Sequence, residues 1–422
     1  MSTSGSASTA QDSTTMDLVF RQARLADGAT LMDVAIAQGR IAAMAPKLEC
    51  RGNTDIDAAG RVLIPGLIES HLHLEKAFVM ERKPNRSGTL MEAIAVTASL
   101  KPTFTREDIE ARSRRVLRQL VGFGSTHVRA HAEFDPAQGF TGFDTVLDLR
   151  REFADVIDIQ VVAFPQEGIL KAPGTGAMMI EAMKKGADVV GGIPYNDTDA
   201  REHIDWVFRL ARDFDKDLDF HQDFHDDADS MSIEYLARKT IEEKYEGRVS
   251  VGHLTALGAA TPARRDEIIA LLRDAGISVM CLPATDMHLG GRKDETNVRR
   301  TLAPVRALRD GGVNVCLATN NICNAFTPYG NGDLLQIAAL ALPACHLGGA
   351  DDQATVLPML TTNPARALRL PNYGLAVGKD ADLVLLDTQR VADAIIDLPD
   401  RSFVVKRGRV VARTERRVEY AF

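Results

Sequence analysis

The stretch Leu63-Ile64-Pro65-Gly66-Leu67-Ile68-Glu69-Ser70-His71-Leu72-His73-Leu74-Glu75-Lys76 runs from a near-continuous apolar segment into a His-x-His pair and two charged residues. A short apolar run bounded by Gly, Pro or polar residues suits a strand buried on both faces, as in a parallel sheet covered by helices. Residues two apart in an extended chain face the same way, so the imidazoles of His71 and His73 point together from the end of that strand. Two neutral imidazoles suit a borderline transition metal such as Zn²⁺ or Fe²⁺. Two surface histidines would give the same local pattern, so the rest of the chain decides its meaning.

Apolar, β-branched runs recur at 62–69, 126–132, 157–164, 187–193, 217–221, 249–254, 277–282 and 313–319. Between them lie stretches of helical periodicity, among them 200–214, 231–245, 262–275 and 297–310. Alternating strand and helix units of this kind predict an α/β fold, a (β/α)8 TIM barrel. A doubly wound open sheet is the alternative, but no Gly-rich phosphate loop follows the first strand. Strand patterns also occupy both ends, at 18–24, 31–38 and 40–44 and again at 382–387 and 403–412, with turns at Gln38-Gly39 and Lys406-Arg407-Gly408. Neither end holds enough strands for its own core, which predicts one small β-sandwich built from both. The expected division is a disordered tail at 1–15, sandwich at 16–61, barrel at 62–368 and sandwich again at 369–422.

Composition narrows the function. Of 422 residues, 45% are hydrophobic and 26% charged, as in an ordinary soluble enzyme. The formal charge of −8 gives no basic face for nucleic acid. No apolar run approaches the roughly 18 residues of a membrane span. The Ser/Thr-rich start carries no apolar targeting core. Cys50, Cys281, Cys316, Cys323 and Cys345 are odd in number and scattered, which argues for a reducing, cytoplasmic setting.

In a barrel the reactive groups gather where strands finish. The expected strand ends carry His71 and His73; His127, Arg129 and His131; Gln166-Glu167; Tyr195-Asn196-Asp197; His221-Gln222-Asp223; His253; Asp286 and His288; and Asn320-Asn321. Most of the chain's ten histidines sit at such ends. The first stretch resembles the opening metal motif of the amidohydrolase superfamily. More narrowly, His127-Val128-Arg129, the segment Phe164-Pro165-Gln166-Glu167-Gly168-Ile169, Gly186-Ala187-Asp188-Val189-Val190-Gly191 and the Tyr373-Gly374 to Asp382-Leu383 stretch resemble the cytosine deaminase branch and its triazine-hydrolase relatives. The likeness runs from about Leu18 to Val411 and implies a barrel with a β-sandwich from both ends.

That resemblance implies one divalent metal (Zn²⁺ first, Fe²⁺ or Mn²⁺ as alternatives) held by His71, His73 and His221, with Asn320 in the place of an Asp. It further implies that His253 orients the nucleophile and Gln166 reads a polar edge of the substrate. Two departures follow. Asn320 supplies an amide oxygen but no negative charge and no base near neutral pH; His253, Asp286 and His288 are the candidate replacements for the proton. Phe224 stands where the deaminase has a proton-shuttling Glu, so it is expected to pack against an apolar part of the substrate. Asn321 is a further candidate substrate contact. His131, His203 and His346 carry no motif and read as packing or surface residues; His225-Asp226-Asp227 reads equally as an acidic turn, and Glu75-Lys76 as an ion pair at the pocket edge.

These features predict a metal-dependent hydrolase of a C–N bond in a small amide-, urea- or carbamate-like or aminated heterocyclic molecule. The alternatives are a cytosine-type pyrimidine deaminase, a catalytically silent small-molecule-binding relative, and a lyase or isomerase. The expected partner is a small-molecule substrate, with no nucleic acid and no membrane; association into a homo-oligomer is compatible with the family.

Overall fold

Gly66 divides the decisive stretch between two sheets. In the computed structural model, which describes residues 15–25 and 30–422, the apolar run forms two strands: Val62–Pro65 joins a mixed sheet and Leu67–Leu72 opens the barrel. A Cβ on Gly66 would lie 2.3 Å from Thr126 Oγ1, so the crossing point tolerates no side chain. Its amide donates to Asp382 O at 2.8 Å and its carbonyl accepts from the Tyr373 hydroxyl at 2.6 Å, tying the crossing to the C-terminal segment. The expected boundary before residue 62 thus falls in front of a strand that hydrogen-bonds outside the barrel. The expected tail at 1–15 lies, apart from Thr15, outside the described residues.

In chain order the strands are β1 (Met16–Leu25), β2 (Leu31–Ala37), β3 (Arg40–Ala45), β4 (Gly52–Asp57), β5 (Val62–Pro65), β6 (Leu67–Leu72), β7 (Ser125–Glu133), β8 (Asp158–Phe164), β9 (Val189–Gly192), β10 (Asp217–Gln222), β11 (Val249–His253), β12 (Ser278–Cys281), β13 (Asn314–Leu317), β14 (Leu383–Leu386), β15 (Arg401–Lys406) and β16 (Arg409–Arg413). β6 to β13 pair in sequence order, each neighbour parallel. The Leu72–Asn320 bridge, with Asn320 N donating to His71 O at 2.9 Å and His73 N to Asn320 O at 3.0 Å, closes the ring into a (β/α)8 barrel. The closure falls on the residues singled out from the sequence.

The ends of the chain form the second sheet, in the order β16-β15-β14-β5-β1-β2-β3 with β4 beside β1. It is one continuous mixed sheet. Alternation along its strands assigns each face a different core. Leu63, Leu383, Leu385 and Val405 close on Leu18, Phe20 and Ile36 within the small unit. Their neighbours Val62, Ile64, Val384, Leu386 and Val404 belong to the apolar core of the barrel. Two-residue turns at Gln38-Gly39 and Arg407-Gly408, all at positive φ, make the outer hairpins, as expected. Among the described residues, no helix is long and apolar enough to cross a membrane.

Lys406, fully buried at the end of β15, fastens the small sheet to the barrel. Its ammonium donates to Asp382 Oδ2 at 2.7 Å, Asp158 Oδ2 at 2.8 Å and Thr126 O at 3.1 Å. Removing one partner of a buried ion pair leaves the other charge uncompensated. Lys406→Met is therefore expected to lower unfolding free energy by about 3 kcal/mol, the low end for such pairs because Asp158 is partly open to solvent. Urea denaturation of the two proteins measures it.

Candidate metal and substrate site

His71, on β6, and His73, just past its end, share one face of the chain, as two-residue alternation requires. His221, from β10, meets both. The Nε2 atoms of His71 and His221 are 3.2 Å apart and those of His73 and His221 are 3.1 Å apart, with all three rings buried. The Nδ1 of His73 lies 3.2 Å from the carbonyl of His131. A carbonyl only accepts, so Nδ1 carries the proton and the lone pair of His73 sits on Nε2, toward the other rings. Burial first, then the mutual repulsion of neighbouring basic groups, holds all three well below the ordinary imidazole range. The three rings are neutral near pH 7, with nitrogen atoms turned on one another.

Such an arrangement fits a cation. Nitrogen ligands about 2.0–2.1 Å from a tetrahedral Zn²⁺ stand about 3.3–3.4 Å apart, close to the spacings here. Asn320, at the closure of the barrel, adds an independent sign. Its Oδ1 is buried and bonds nothing among the described residues. An orphaned acceptor of this kind costs about 1–3 kcal/mol unless a ligand takes it up. The φ of Asn320 is 66°, a left-handed conformation that Asn and Asp adopt more readily than other non-glycine residues.

The space for His71 comes from Gly252 on β11. A Cβ there would stand 2.7 Å from His71 Cε1 and 2.9 Å from its Nδ1. One residue on, His253 has its Nδ1 2.6 Å from Asp286 Oδ1, both groups buried. Burial pushes the Asp286 carboxyl up, against the opposing pull of the imidazole. When Asp286 is ionised, Nδ1 donates to it and the lone pair of His253 sits on Nε2. Phe224 covers one face of that imidazole, with ring centroids 4.0 Å apart and an angle of 11° between planes. Phe164 stacks in the same way on His221, at 4.0 Å.

Asp286 and His288 are not at a strand end. β12 stops at Cys281 and Pro283–Leu289 forms a short helix, initiated by its proline. At 100° per residue, two positions turn a side chain to the far side of a helix. Asp286 accordingly meets His253, whereas His288 lies edge-on to Tyr329, with centroids 5.9 Å apart. Asn321 turns into its own loop, its Oδ1 accepting from Asn324 Nδ2 at 2.7 Å. His203 is buried against Asp197 at 2.7 Å. Asp226 ties down the loop at 291–301 by accepting from Gly291 N and Thr301 Oγ1.

Gln166, just beyond β8, is buried and accepts at Oε1 from Lys76 Nζ at 3.2 Å. Lys76 also pairs with Glu133, whose other oxygen lies 3.0 Å from Lys101 Nζ. Lys101 reaches Asp135 at 3.1 Å and Glu167 at 2.8 Å. Glu133 Oε1 stands 3.7 Å from His73 Nδ1, so this buried chain of charges abuts the histidine cluster. Both oxygens of Glu75 are buried beside it without a hydrogen-bond partner among the described residues, Oε1 standing 4.0 Å from His73 Nδ1, and burial followed by Glu133 pushes that carboxyl up. Sequence reading missed Glu133 and the adjacency of His131, whose ring is 4.0 Å from that of His71. Arg129, His131 and Glu133 alternate along β7, and following that period to the strand end would have found both.

Residues 79–412 match the family model described as "Amidohydrolase family". The chain is 32% identical over 413 residues to N-isopropylammelide isopropyl amidohydrolase of Pseudomonas sp. (strain ADP), covering 94% of this chain and 98% of that protein. The crystal structure of 5-methylcytosine deaminase from Klebsiella pneumoniae liganded with phosphonocytosine superposes with a TM-score of 0.91 and 34% identity, covering 95% of this chain and all of that one. N-isopropylammelide isopropylaminohydrolase from Burkholderia multivorans gives a TM-score of 0.83 at 29% identity, covering 94% and 98%.

Proposed function

The chain belongs to the amidohydrolase family, and on that footing we propose that it is a metal-dependent hydrolase of a C–N bond in a small, neutral amide-, urea- or carbamate-like or aminated heterocyclic molecule. The observation that carries this reading is the convergence of the His71, His73 and His221 Nε2 atoms from two strands. Those three imidazoles would hold one divalent cation, with Asn320 Oδ1 as a neutral fourth donor. Three nitrogen donors favour Zn²⁺, with Fe²⁺ and Mn²⁺ as alternatives. When bound, the ion supplies Lewis acidity and a nucleophilic water near neutral pH.

The remaining chemistry belongs to the protein. His253 takes a proton at Nε2, and Asp286 stabilises the imidazolium that results. The Phe224 ring offers no proton and closes an apolar wall over His253. That wall continues through Leu289, Ala325 and Phe326, one apolar cluster above the barrel mouth. It favours a substrate that is uncharged and apolar on that side. Gln166 takes the polar edge. The likeness to 5-methylcytosine deaminase supports a neighbouring reading, deamination of a cytosine-type ring, but that chemistry lacks its proton shuttle while Phe224 stands in place. Five free cysteines are consistent with a cytoplasmic protein.

Zinc-reconstituted protein screened against aminated triazines and pyrimidines, ureas, carbamates and anilides is expected to hydrolyse members of one class. Full metal occupancy with no turnover of any of them would replace the hydrolase reading with that of a silent binding protein. Asn320→Asp tests the fourth donor directly. The change keeps the shape and the left-handed backbone and adds a negative charge, so zinc retention against a chelator is expected to rise about tenfold. Unchanged retention would place this side chain outside the coordination set.

A further inference from the structure

Beyond the strand end that carries His253 the protein has a second cleft. The chain leaves β11 through His253 and Leu254, both left-handed with φ of 72° and 55°, and enters the short turn Thr255–Ala259. Thr255 fixes that turn by donating from Oγ1 to His225 O at 2.9 Å. The turn, the helix Pro262–Asp274 and the segment 299–311 enclose about 730 Å³, a volume suited to a small organic molecule. Buried Ile269, Leu302, Ala303 and Val305 give it an apolar floor. No residue of the metal site lines it.

The polar lining is rich in arginine, although the chain as a whole carries a formal charge of −8: Arg265, Arg273, Arg299, Arg300 and Arg306 all face the cleft, against two aspartates. Three of them are engaged. Arg265 pairs with Asp266 at 2.8 Å, Arg273 with Asp274 at 2.8 Å and Arg299 with Asp294 at 2.6 Å. Arg306 stands 3.9 Å from Asp310 and 4.0 Å from Asp352, too far for a hydrogen bond. The exposed Arg300 guanidinium meets no partner among the described residues. Each guanidinium offers five donors in a planar fork that fits an oxyanion. One carboxylate saturates one fork, whereas linked phosphates present oxygens to two.

We propose that this cleft binds an organic phosphate, its phosphate groups taken by Arg300 and Arg306 and its organic body laid on Ile269, Leu302 and Val305. The site does not depend on which bond the metal centre breaks, and binding tests it without turnover. Calorimetric titration of the zinc-loaded full chain with adenosine triphosphate at low ionic strength is expected to show one site. Inorganic triphosphate should bind at least about tenfold more weakly, because it leaves the apolar floor uncovered. Arg300→Glu, a change at an exposed side chain, is expected to weaken nucleotide binding at least about tenfold through loss of charge-assisted bonds. Arg118→Glu makes the same change of net charge on the exposed face of the helix Arg106–Gly122, outside the cleft, and should stay within about twofold. Metal-free His71→Ala should bind as the wild type does. No binding by the wild type, equal losses in Arg300→Glu and Arg118→Glu, or a loss in His71→Ala that traces the phosphate to the metal, overturns the proposal. Equal affinity for the nucleotide and for inorganic triphosphate overturns the part given to the organic body.

Discussion

His253→Gln is expected to lower kcat by about 10²–10⁴, the range for loss of a general base, with zinc content unchanged. The glutamine approximates the size of the ring and can still meet Asp286, but it offers no basic nitrogen. Asp286→Asn should give a smaller loss, because the proton acceptor stays while the group that stabilises its charged form is neutralised. Steady-state kinetics on the best substrate of the screen, paired with metal analysis, separates this outcome from a folding defect. A His253→Gln enzyme within about threefold of the wild type would show that another group takes the proton.

The second large effect comes from a residue with no functional group. Gly252→Ala would drive a methyl group to 2.7 Å from His71 Cε1, well inside van der Waals contact, on a strand hydrogen-bonded on both sides. The imidazole has to move, and His71 then no longer meets His221. Loss of metal affinity of about 10–100-fold is expected, the scale seen when groups that orient a ligand are lost. His71→Ala should behave alike, so the two variants together show whether position or chemistry of the ring is at stake. Zinc titration in competition with a chromogenic chelator measures both. Wild-type affinity in Gly252→Ala would mean that the strand, rather than the ring, gives way.

The barrel was legible in the chain because its strands, covered on both faces, read as apolar runs. The turns at Gln38-Gly39 and Lys406-Arg407-Gly408 were equally plain, the second shortened to Arg407-Gly408 because Lys406 ends β15. The division of 62–72 into two strands was not, because Val62 to Ile68 reads as one near-continuous apolar run and the reason for Gly66 lies on Thr126, sixty residues away. β4 (Gly52–Asp57) escaped notice because most of its side chains are exposed and only Ile56 is buried. The helical pattern at 297–310 shortened to Val305–Asp310, since the segment before it is held by long-range contacts such as Arg299 to Asp226 O.

The site divides in the same way. His71, His73, His221 and His253 follow from strand ends and alternation. The sequence points to Asp286 through an expected strand end, whereas a helix of two turns delivers it. Lys76, Gln166 and, by alternation, Glu133 are legible one at a time, but their linkage with Lys101 is not, because it joins β7, the end of β8 and the short turn Lys101–Thr103, elements related only through the fold. The orphaned oxygen of Asn320 belongs to the same class: sequence names the residue, and only coordinates show that nothing in the protein answers it.

That unanswered oxygen has an electrostatic corollary. Three uncharged rings and one carboxamide contribute no formal charge, so a dication seated among them would keep both of its positive charges, where a carboxylate would have cancelled one. The field at the barrel mouth would then be markedly more positive than in a relative with an Asp at this point. Small inorganic anions such as azide or cyanate would then compete for such a centre, and the missing acid would change the clientele of the cavity as much as its reactivity.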